Sequence, residues 1–385
     1  MSKPLKNINE LLSQGLENHR AKRFTMAKQL YLEILEECPQ HPDALNLLGT
    51  AIAQDDEPEK AIQFIQQAIV FRPELAPYRV NLGVVLQDLG RFDQAEASFQ
   101  YAIQLDEKFV DAYYNLAKLY KQVEKPISAI KTYKKLLSLD PQRQDALINM
   151  GNIYFDDGSL EKAITYFKKA SLINSGNEQL KDQAIINLGN TYRRKGQDLD
   201  SMRTYERVLS RCAYPGLRIK QAITLPIVYR DKSHIDDVRL RFERELETIE
   251  NSHMVISDPA LEISSTNFFL AYQSMSNKVL QEQIAKIMLK ACPSLDFIAP
   301  HSKLSRSHSE KIKIGFISAY FRLHSIGRLM QGLIENISKT AFEIIIFTPK
   351  IHIDTIANSI YECAESVVSI PDDTFEAQEI IAAEK

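Results

Sequence analysis

A period of 34 residues runs through the first half of the chain and limits what that half can fold into. Alanine returns in this register at Ala27, Ala61, Ala95, Ala129 and Ala163. A second, small column is Gly15, Gly49, Gly83, Ala117 and Gly151, and a third, bulky column is Tyr31, Ile65, Phe99, Tyr133 and Phe167. Units of this length are pairs of antiparallel helices that bury their apolar sides only by stacking on their neighbours. We therefore expect an all-α superhelix in which small residues let the two helices of each unit approach closely.

The repeats are expected to occupy residues 8–212 in about six units. The sixth unit departs from the register, because Asn187 lies 38 residues after Asn149 instead of 34. Ser201 stands where alanine is expected, which is typical of a weaker terminal unit. The register ends at Pro215-Gly216, a pair that breaks regular structure. The whole pattern resembles the tetratricopeptide repeat.

One polar column is not explained by packing. It consists of Asn81, Asn115, Asn149 and Asn187, while Asn46 is displaced from it by one position. Asp111 and Asp145 stand four residues before the asparagine of their repeats, hence on the same helix face. These side chains are either solvated or bound to neighbouring helices, or they form a row of amides. An amide both donates and accepts, so such a row pairs with a peptide backbone whatever its side chains are.

Residues 216–300 are expected to form a helical spacer. Ser233 is the expected cap of a helix that runs through Asp236 to about Ile249 and has apolar residues at helical spacings, namely Val238, Leu240, Phe242, Leu246 and Ile249. The aromatic stretch 266–273 is expected to pack in the core, and residues 278–290 to form an amphipathic helix. Residues 301–310 are polar and predict a linker with solvated histidines.

Residues 311–385 alternate between strand and helix patterns. Strands are predicted at 311–318, 342–348 and 366–370, and helices at 326–337, 354–365 and 375–385. This alternation is typical of a parallel α/β sheet, here the first part of a Rossmann-like lobe. Three strands leave an open edge, so we expect a chain truncated within its first catalytic lobe. No glycine-rich phosphate loop follows the first strand.

Composition narrows the classes of partner. The net charge is −3, which gives no general attraction to nucleic acid, and no apolar run is long enough to span a membrane. No secretory signal is expected at the amino terminus. The four cysteines are at least 71 residues apart, which excludes a Cys-x-x-Cys metal site and favours a reducing, cytoplasmic location.

The repeats with an asparagine column, the spacer and the segment from Gly315 to Met330 together resemble the protein O-linked N-acetylglucosamine transferases. The likeness is closer to their bacterial tetratricopeptide-containing relatives. It implies a two-lobed glycosyltransferase that moves a sugar from a uridine-diphosphate donor to serine or threonine of a protein acceptor, without a metal or other cofactor. It also implies that His324 is catalytic and faces the acceptor. A second histidine of the family is replaced by Arg328.

The same resemblance implies that Asn81, Asn115, Asn149 and Asn187 hold the acceptor backbone, and that Asp111 and Asp145 tune selectivity. The donor-binding lobe is expected to be missing, so no donor-site residue is named. Three alternatives stay open at this point: His324 acts as a base or only positions the acceptor; the chain is a non-enzymatic scaffold that binds partner segments; or the acceptor is a glycan or lipid.

Overall fold

The computed structural model describes residues 7–55, 57–300, 311–371 and 373–384. The chain divides into two compact units, one ending at Thr204 and the other beginning at Tyr205. The predicted linker at 301–310, with His301 and His308, lies outside the described residues.

The first unit is a series of helix pairs. Its helices are α1 (Ile8–Arg20), α2 (Phe24–Glu37), α3 (Pro42–Gln54), α4 (Pro58–Phe71), α5 (Ala76–Asp88), α6 (Phe92–Leu105), α7 (Val110–Gln122), α8 (Pro126–Leu139), α9 (Gln144–Asp156), α10 (Leu160–Leu172), α11 (Glu178–Arg194) and α12 (Asp198–Leu209), the last of which crosses into the second unit. Odd-numbered members are the first helices of their repeats. Helix α11 has 17 residues where the other first helices have 13, so the predicted four-residue slip is one extra helical turn.

The small and bulky columns pack as predicted. Every alanine of the period is fully buried, and so is every member of the bulky column. A Cβ atom added to Gly83 would lie 2.5 Å from the ring of Phe99, and one added to Gly151 would lie 2.5 Å from the ring of Phe167. Glycine therefore permits the close approach of the two helices in these repeats.

The second unit begins with a helical spacer. Its helices are α13 (Pro215–Ala222), α14 (Lys232–Glu250), α15 (Pro259–Glu262) and α16 (Lys278–Ala291), with short 3₁₀ helices at Phe268–Gln273 and Pro293–Leu295. Proline at the first position of α13 starts this helix instead of leaving an irregular break, because proline there loses no helical hydrogen bond.

The cap of α14 and the packing of the aromatic stretch differ from the spacer prediction. The cap of α14 is Asp231, whose carboxylate accepts the N–H of His234 at 2.8 Å, and not Ser233. Leu240 is exposed, although the other predicted side chains of α14 are buried. Phe268 and Tyr272 are 61% and 56% exposed, because the six-residue 3₁₀ helix buries only Leu270 and Gln273.

A small parallel sheet follows the spacer. Its elements are β1 (Ile312–Ile317), α17 (Ser325–Asn336), β2 (Phe342–Thr348), α18 (Thr355–Glu362), β3 (Ser366–Ser369) and α19 (Thr374–Ala383). Within the described residues the strand order is β1-β2-β3, with Ile314 opposite Ile344 and Ile345 opposite Ser366. Helices α17 and α18 cover one face of the sheet and α19 covers the other. The predicted strands and helices are thus present, while a wider Rossmann-like lobe stays a prediction.

Candidate functional site

The four predicted asparagines lie near the middle of first helices in four successive repeats. Asn81, Asn115, Asn149 and Asn187 belong to α5, α7, α9 and α11, and each is half-buried. We call the surface that carries these four side chains the first-helix face. Asparagine is a poor helix former, so helix propensity does not explain why it recurs on this surface. The asparagine column therefore has a different basis from the apolar columns, which recur because they form the core.

Three of these amides bind the first helix of the preceding repeat. Asn81 Nδ2 donates to Asn46 Oδ1 at 3.0 Å, and Asn187 Nδ2 donates to Asn152 Oδ1 at the same distance. Asn149 Nδ2 lies 3.4 Å from the hydroxyl of Tyr114. Each pair is separated by 35 residues, one more than the repeat period. This spacing explains Asn46, whose displacement by one position from the column makes it the partner of Asn81.

Asn115 is the exception in the row. Its partner at the 35-residue spacing would be Val80, which is apolar, buried and without a side-chain acceptor. The amide of Asn115 instead donates to the backbone carbonyl of Asp111 in its own helix at 2.9 Å. Its Oδ1 atom accepts no hydrogen bond within the part of the chain that the structure describes. Asn115 is therefore the row member least committed to neighbouring repeats.

The two predicted aspartates share one cation. Arg143 contacts Asp111 at 3.1 Å through its terminal nitrogen and Asp145 at 2.9 Å through Nε. Its guanidinium also lies over the ring of Tyr114, 5.2 Å from the centroid. Burial, with a smaller effect of the Asp145 carboxylate, raises the pKa of the Tyr114 hydroxyl, so Tyr114 is a neutral phenol at physiological pH. The carboxylates are thus partly neutralised instead of standing as free charges.

A pocket of about 690 Å³ opens at the amino-terminal end of the first-helix face. Its apolar lining residues include Leu16, Phe24 and Leu47, and Asn81 of the row lines it as well. Arg20 and Lys22 supply two exposed cations. The row of amides therefore continues into a basic cavity.

The second candidate region is the loop between β1 and α17, which carries His324. Loops that follow the carboxyl ends of parallel strands are where α/β folds place binding and chemistry. The ring of His324 stacks on the ring of Tyr320, with 4.6 Å between the ring centroids. The guanidinium of Arg322 lies over the same Tyr320 ring, 5.7 Å from its centroid. Gly327 sits against the carbonyl of Arg322 so closely that no Cβ fits.

His324 is also the amino-terminal cap of α17. Its Nδ1 atom accepts the backbone N–H of Ile326 at 3.2 Å. A backbone N–H only donates, so Nδ1 holds its lone pair toward the helix and the neutral ring carries its proton on Nε2. In this arrangement Nε2 is a hydrogen-bond donor.

The sequence did not indicate Arg143, Tyr114 and Asn152, which bind polar side chains of the first-helix face. In the loop that carries His324, it did not indicate Asp354, whose carboxylate accepts the N–H of Leu323 at 3.0 Å. A spacing of 35 residues would have found Asn152. Among the described residues, no group of three or more metal-ligating side chains is close enough to hold an ion, and no helix combines the length and apolar character needed to cross a bilayer.

Profiles of known repeat families match the first unit. The tetratricopeptide repeat is matched at residues 13–78, 110–143 and 144–177, and a further repeat of this type at 88–123. This chain contains tetratricopeptide repeats. The prediction made from the 34-residue period is confirmed.

Curated relatives of this chain include enzymes and receptors. Human protein O-mannosyl-transferase TMTC3 is 27% identical over 175 residues, which is 43% of this chain and 19% of the relative. The peroxisomal targeting signal receptor of Candida albicans is 34% identical over 82 residues, which is 21% of this chain and 14% of the receptor. The chain thus spans about a fifth or less of the length of these relatives.

Solved structures with a similar tetratricopeptide architecture are more distant. The type IV pilus biogenesis factor PilW is 19% identical with a TM-score of 0.47, covering 54% of this chain and 94% of PilW. YrrB, described as a tetratricopeptide protein with an unusual peptide-binding site, is 18% identical with a TM-score of 0.37, covering 47% of this chain and 91% of YrrB.

Proposed function

We propose that the first-helix face binds extended segments of other proteins through their backbone. The observation that carries this proposal is the row of four half-buried asparagines. Packing of the apolar core does not require asparagine at these positions. Asn115 offers an acceptor oxygen for a backbone N–H of the ligand, and Asn81, Asn149 and Asn187 are already oriented by their inter-repeat bonds. Side chains held in place before binding lose little entropy on binding, which favours affinity.

The basic pocket supports a preference for acidic segments. Arg20 and Lys22 would attract a carboxylate, while Leu16 and Phe24 would contact the apolar part of the same ligand. The name of one similar protein, a peroxisomal targeting signal receptor, agrees with a protein segment as the partner but does not bear on its charge.

The proposal is tested by replacing two asparagines of the row with alanine, which leaves the helices intact. Asn115→Ala combined with Asn149→Ala should weaken binding of labelled, unfolded peptides by about 1–3 kcal/mol, or roughly 5- to 150-fold in Kd. The matched control is Asn18→Ala, which removes the same type of bond to a backbone carbonyl four residues earlier but lies outside the row. Fluorescence anisotropy measures both. Equal affinities of the double variant and the control would refute the role of the row.

A second candidate function is O-linked glycosyl transfer, with the repeats selecting the protein acceptor. The loop that carries His324 favours it, because the loop follows a parallel strand and its histidine is fixed in one orientation. The relatives named protein O-mannosyl-transferases also combine repeats with sugar transfer to proteins. In this proposal a uridine-diphosphate sugar, N-acetylglucosamine in the first instance, is the donor. His324 would donate a hydrogen bond to an oxygen of the acceptor or donor and not take a proton.

Mass spectrometry of acceptor proteins incubated with the full-length gene product and uridine-diphosphate N-acetylglucosamine tests the second candidate. Transfer should occur with the wild type and fall more than about threefold with His324→Ala. Absence of any added sugar from a panel of nucleotide sugars would remove the enzymatic candidate and leave the binding proposal standing. Transfer at an unchanged rate in His324→Ala would refute the role of the histidine.

A further inference from the structure

A single carboxylate joins the two loops at the carboxyl edge of the sheet. Asp354 follows β2 and begins α18, where its Oδ1 accepts the N–H groups of Ile356 at 3.0 Å and Ala357 at 2.9 Å. Its other oxygen, Oδ2, accepts the N–H of Leu323 at 3.0 Å from the loop after β1. The first two bonds are an ordinary helix cap, and the third is not part of any cap.

The third bond acts on the residue directly before His324. Leu323 is exposed, so its side chain contributes little to fixing the loop. Within the loop itself, the buried side chain of Phe321, the stack of His324 on Tyr320, the close contact of Gly327 with the carbonyl of Arg322 and short-range backbone hydrogen bonds also act as restraints. The bond from Leu323 to Asp354 ties this loop to a different helix, and thereby to the neighbouring strand.

The carboxylate is suited to two tasks at once because both of its oxygens are acceptors. Its backbone donors, that of Ala357 first and that of Leu323 next, lower the pKa of the Asp354 carboxyl, so the group is ionised at neutral pH. An asparagine at this position would have only one acceptor oxygen.

We infer that Asp354 is a positioning residue, which caps α18 with one oxygen and holds the backbone of the His324 loop with the other. The consequence for transfer rests on the proposed role of His324, but the positioning itself does not. Asp354 would then keep the His324 ring in the orientation in which Nδ1 caps α17 and Nε2 donates.

The chain provides a matched control for this inference. Asp373 caps α19 in the same way, accepting the N–H groups of Phe375 at 3.0 Å and Glu376 at 2.9 Å. In the described part of the chain it makes no bond to the loop after β1. Asparagine is an effective cap, so both Asp354→Asn and Asp373→Asn should keep their helices, and only the first should release a loop.

The experiment follows the Leu323 amide and the His324 ring by nuclear magnetic resonance of the full chain. In Asp354→Asn we expect exchange of the Leu323 amide hydrogen to accelerate about five- to tenfold, and the ring signals of His324 to shift. Asp373→Asn should change neither. These readouts do not depend on sugar transfer, so absence of transfer would not affect them.

A second variant covers the case in which the asparagine amide turns its oxygen toward Leu323. Asp354→Ala removes every acceptor of this side chain and must release the Leu323 amide. Protection of Leu323 and unchanged His324 signals in both Asp354 variants would overturn the inference. Equal acceleration in Asp373→Asn would also overturn it, because the effect would then be a general loss of stability.

Discussion

Replacing Asn81 by alanine separates the structural task of the asparagine row from its proposed binding task. Asn46 is only 5% exposed, and its Oδ1 atom accepts the amide of Asn81 at 3.0 Å. Asn81→Ala leaves this oxygen without its donor. An unpaired buried acceptor costs about 1–3 kcal/mol, and because Asn81 is half-buried, water reaches the vacated space and the lower half of this range is expected.

Asn115→Ala is the contrasting variant in the same row. The carbonyl that Asn115 contacts lies in its own helix, and that carbonyl keeps its helical hydrogen bond when the side chain is removed. Alanine is also the better helix former. We therefore expect the free energy of unfolding to change by less than about 0.5 kcal/mol. Adding Asn46→Ala to Asn81→Ala should cost less than the sum of the single changes by about 1 kcal/mol, since neither partner is then left unpaired.

Amide hydrogen exchange in α3 and α5 is the suitable assay, because unfolding of a repeat array need not be a single transition. It reports the free energy of local opening where the bond lies. Opening free energies of Asn81→Ala and Asn115→Ala that agree within about 0.3 kcal/mol would refute the reasoning, and so would strictly additive effects in the double variant.

Three further predictions concern packing, pH and charge. In thermal melts Gly151→Ala should destabilise the chain by about 1–3 kcal/mol, because the added Cβ would clash with the ring of Phe167. Gly332→Ala should stabilise the chain by up to about 1 kcal/mol, because no atom lies within 4 Å of the added Cβ. Similar shifts in the two variants would contradict the packing argument. Burial raises the pKa of Tyr31 from 10.0 to about 12, so the contribution of its neutral hydroxyl to stability is complete below pH 10 and is lost as the pH rises toward 12. In denaturation titrations Tyr31→Phe should therefore lose less stability at alkaline pH than the wild type. An identical loss in the two proteins would contradict this prediction. Arg20→Glu should weaken binding of acidic peptides in low salt more than binding of neutral ones, and equal effects would exclude an electrostatic role for the pocket.

The repeat architecture was predictable because one period fixes both the helices and the contacts inside each unit. The contacts between units were not, since nearest neighbours on successive first helices are 35 residues apart and the columns repeat every 34. The sequence therefore indicated Asn115 and Asn149 as equivalent, although the structure gives them different partners. That difference comes from Val80, an apolar residue at the position where a polar partner would be needed.

The sheet was predictable from alternation, and its loops were not. Asp354 was expected only to begin a helix, because a sequence pattern carries no information on which loop an oxygen atom reaches. In the spacer, exposure of Phe268 and Tyr272 depended on a short 3₁₀ helix, which has three residues per turn and distributes side chains differently from an α-helix.

The close contact in each repeat joins residues 16 positions apart, such as Gly83 and Phe99, so it lies wholly inside one unit. A gene segment that encodes one unit therefore carries this contact with it when the segment is duplicated or lost. What such an event alters is the polar joint on either side, where pairs such as Asn46 with Asn81 must meet again. Lineages of this protein should accordingly differ in whole units, with the largest divergence in polar residues at the joints.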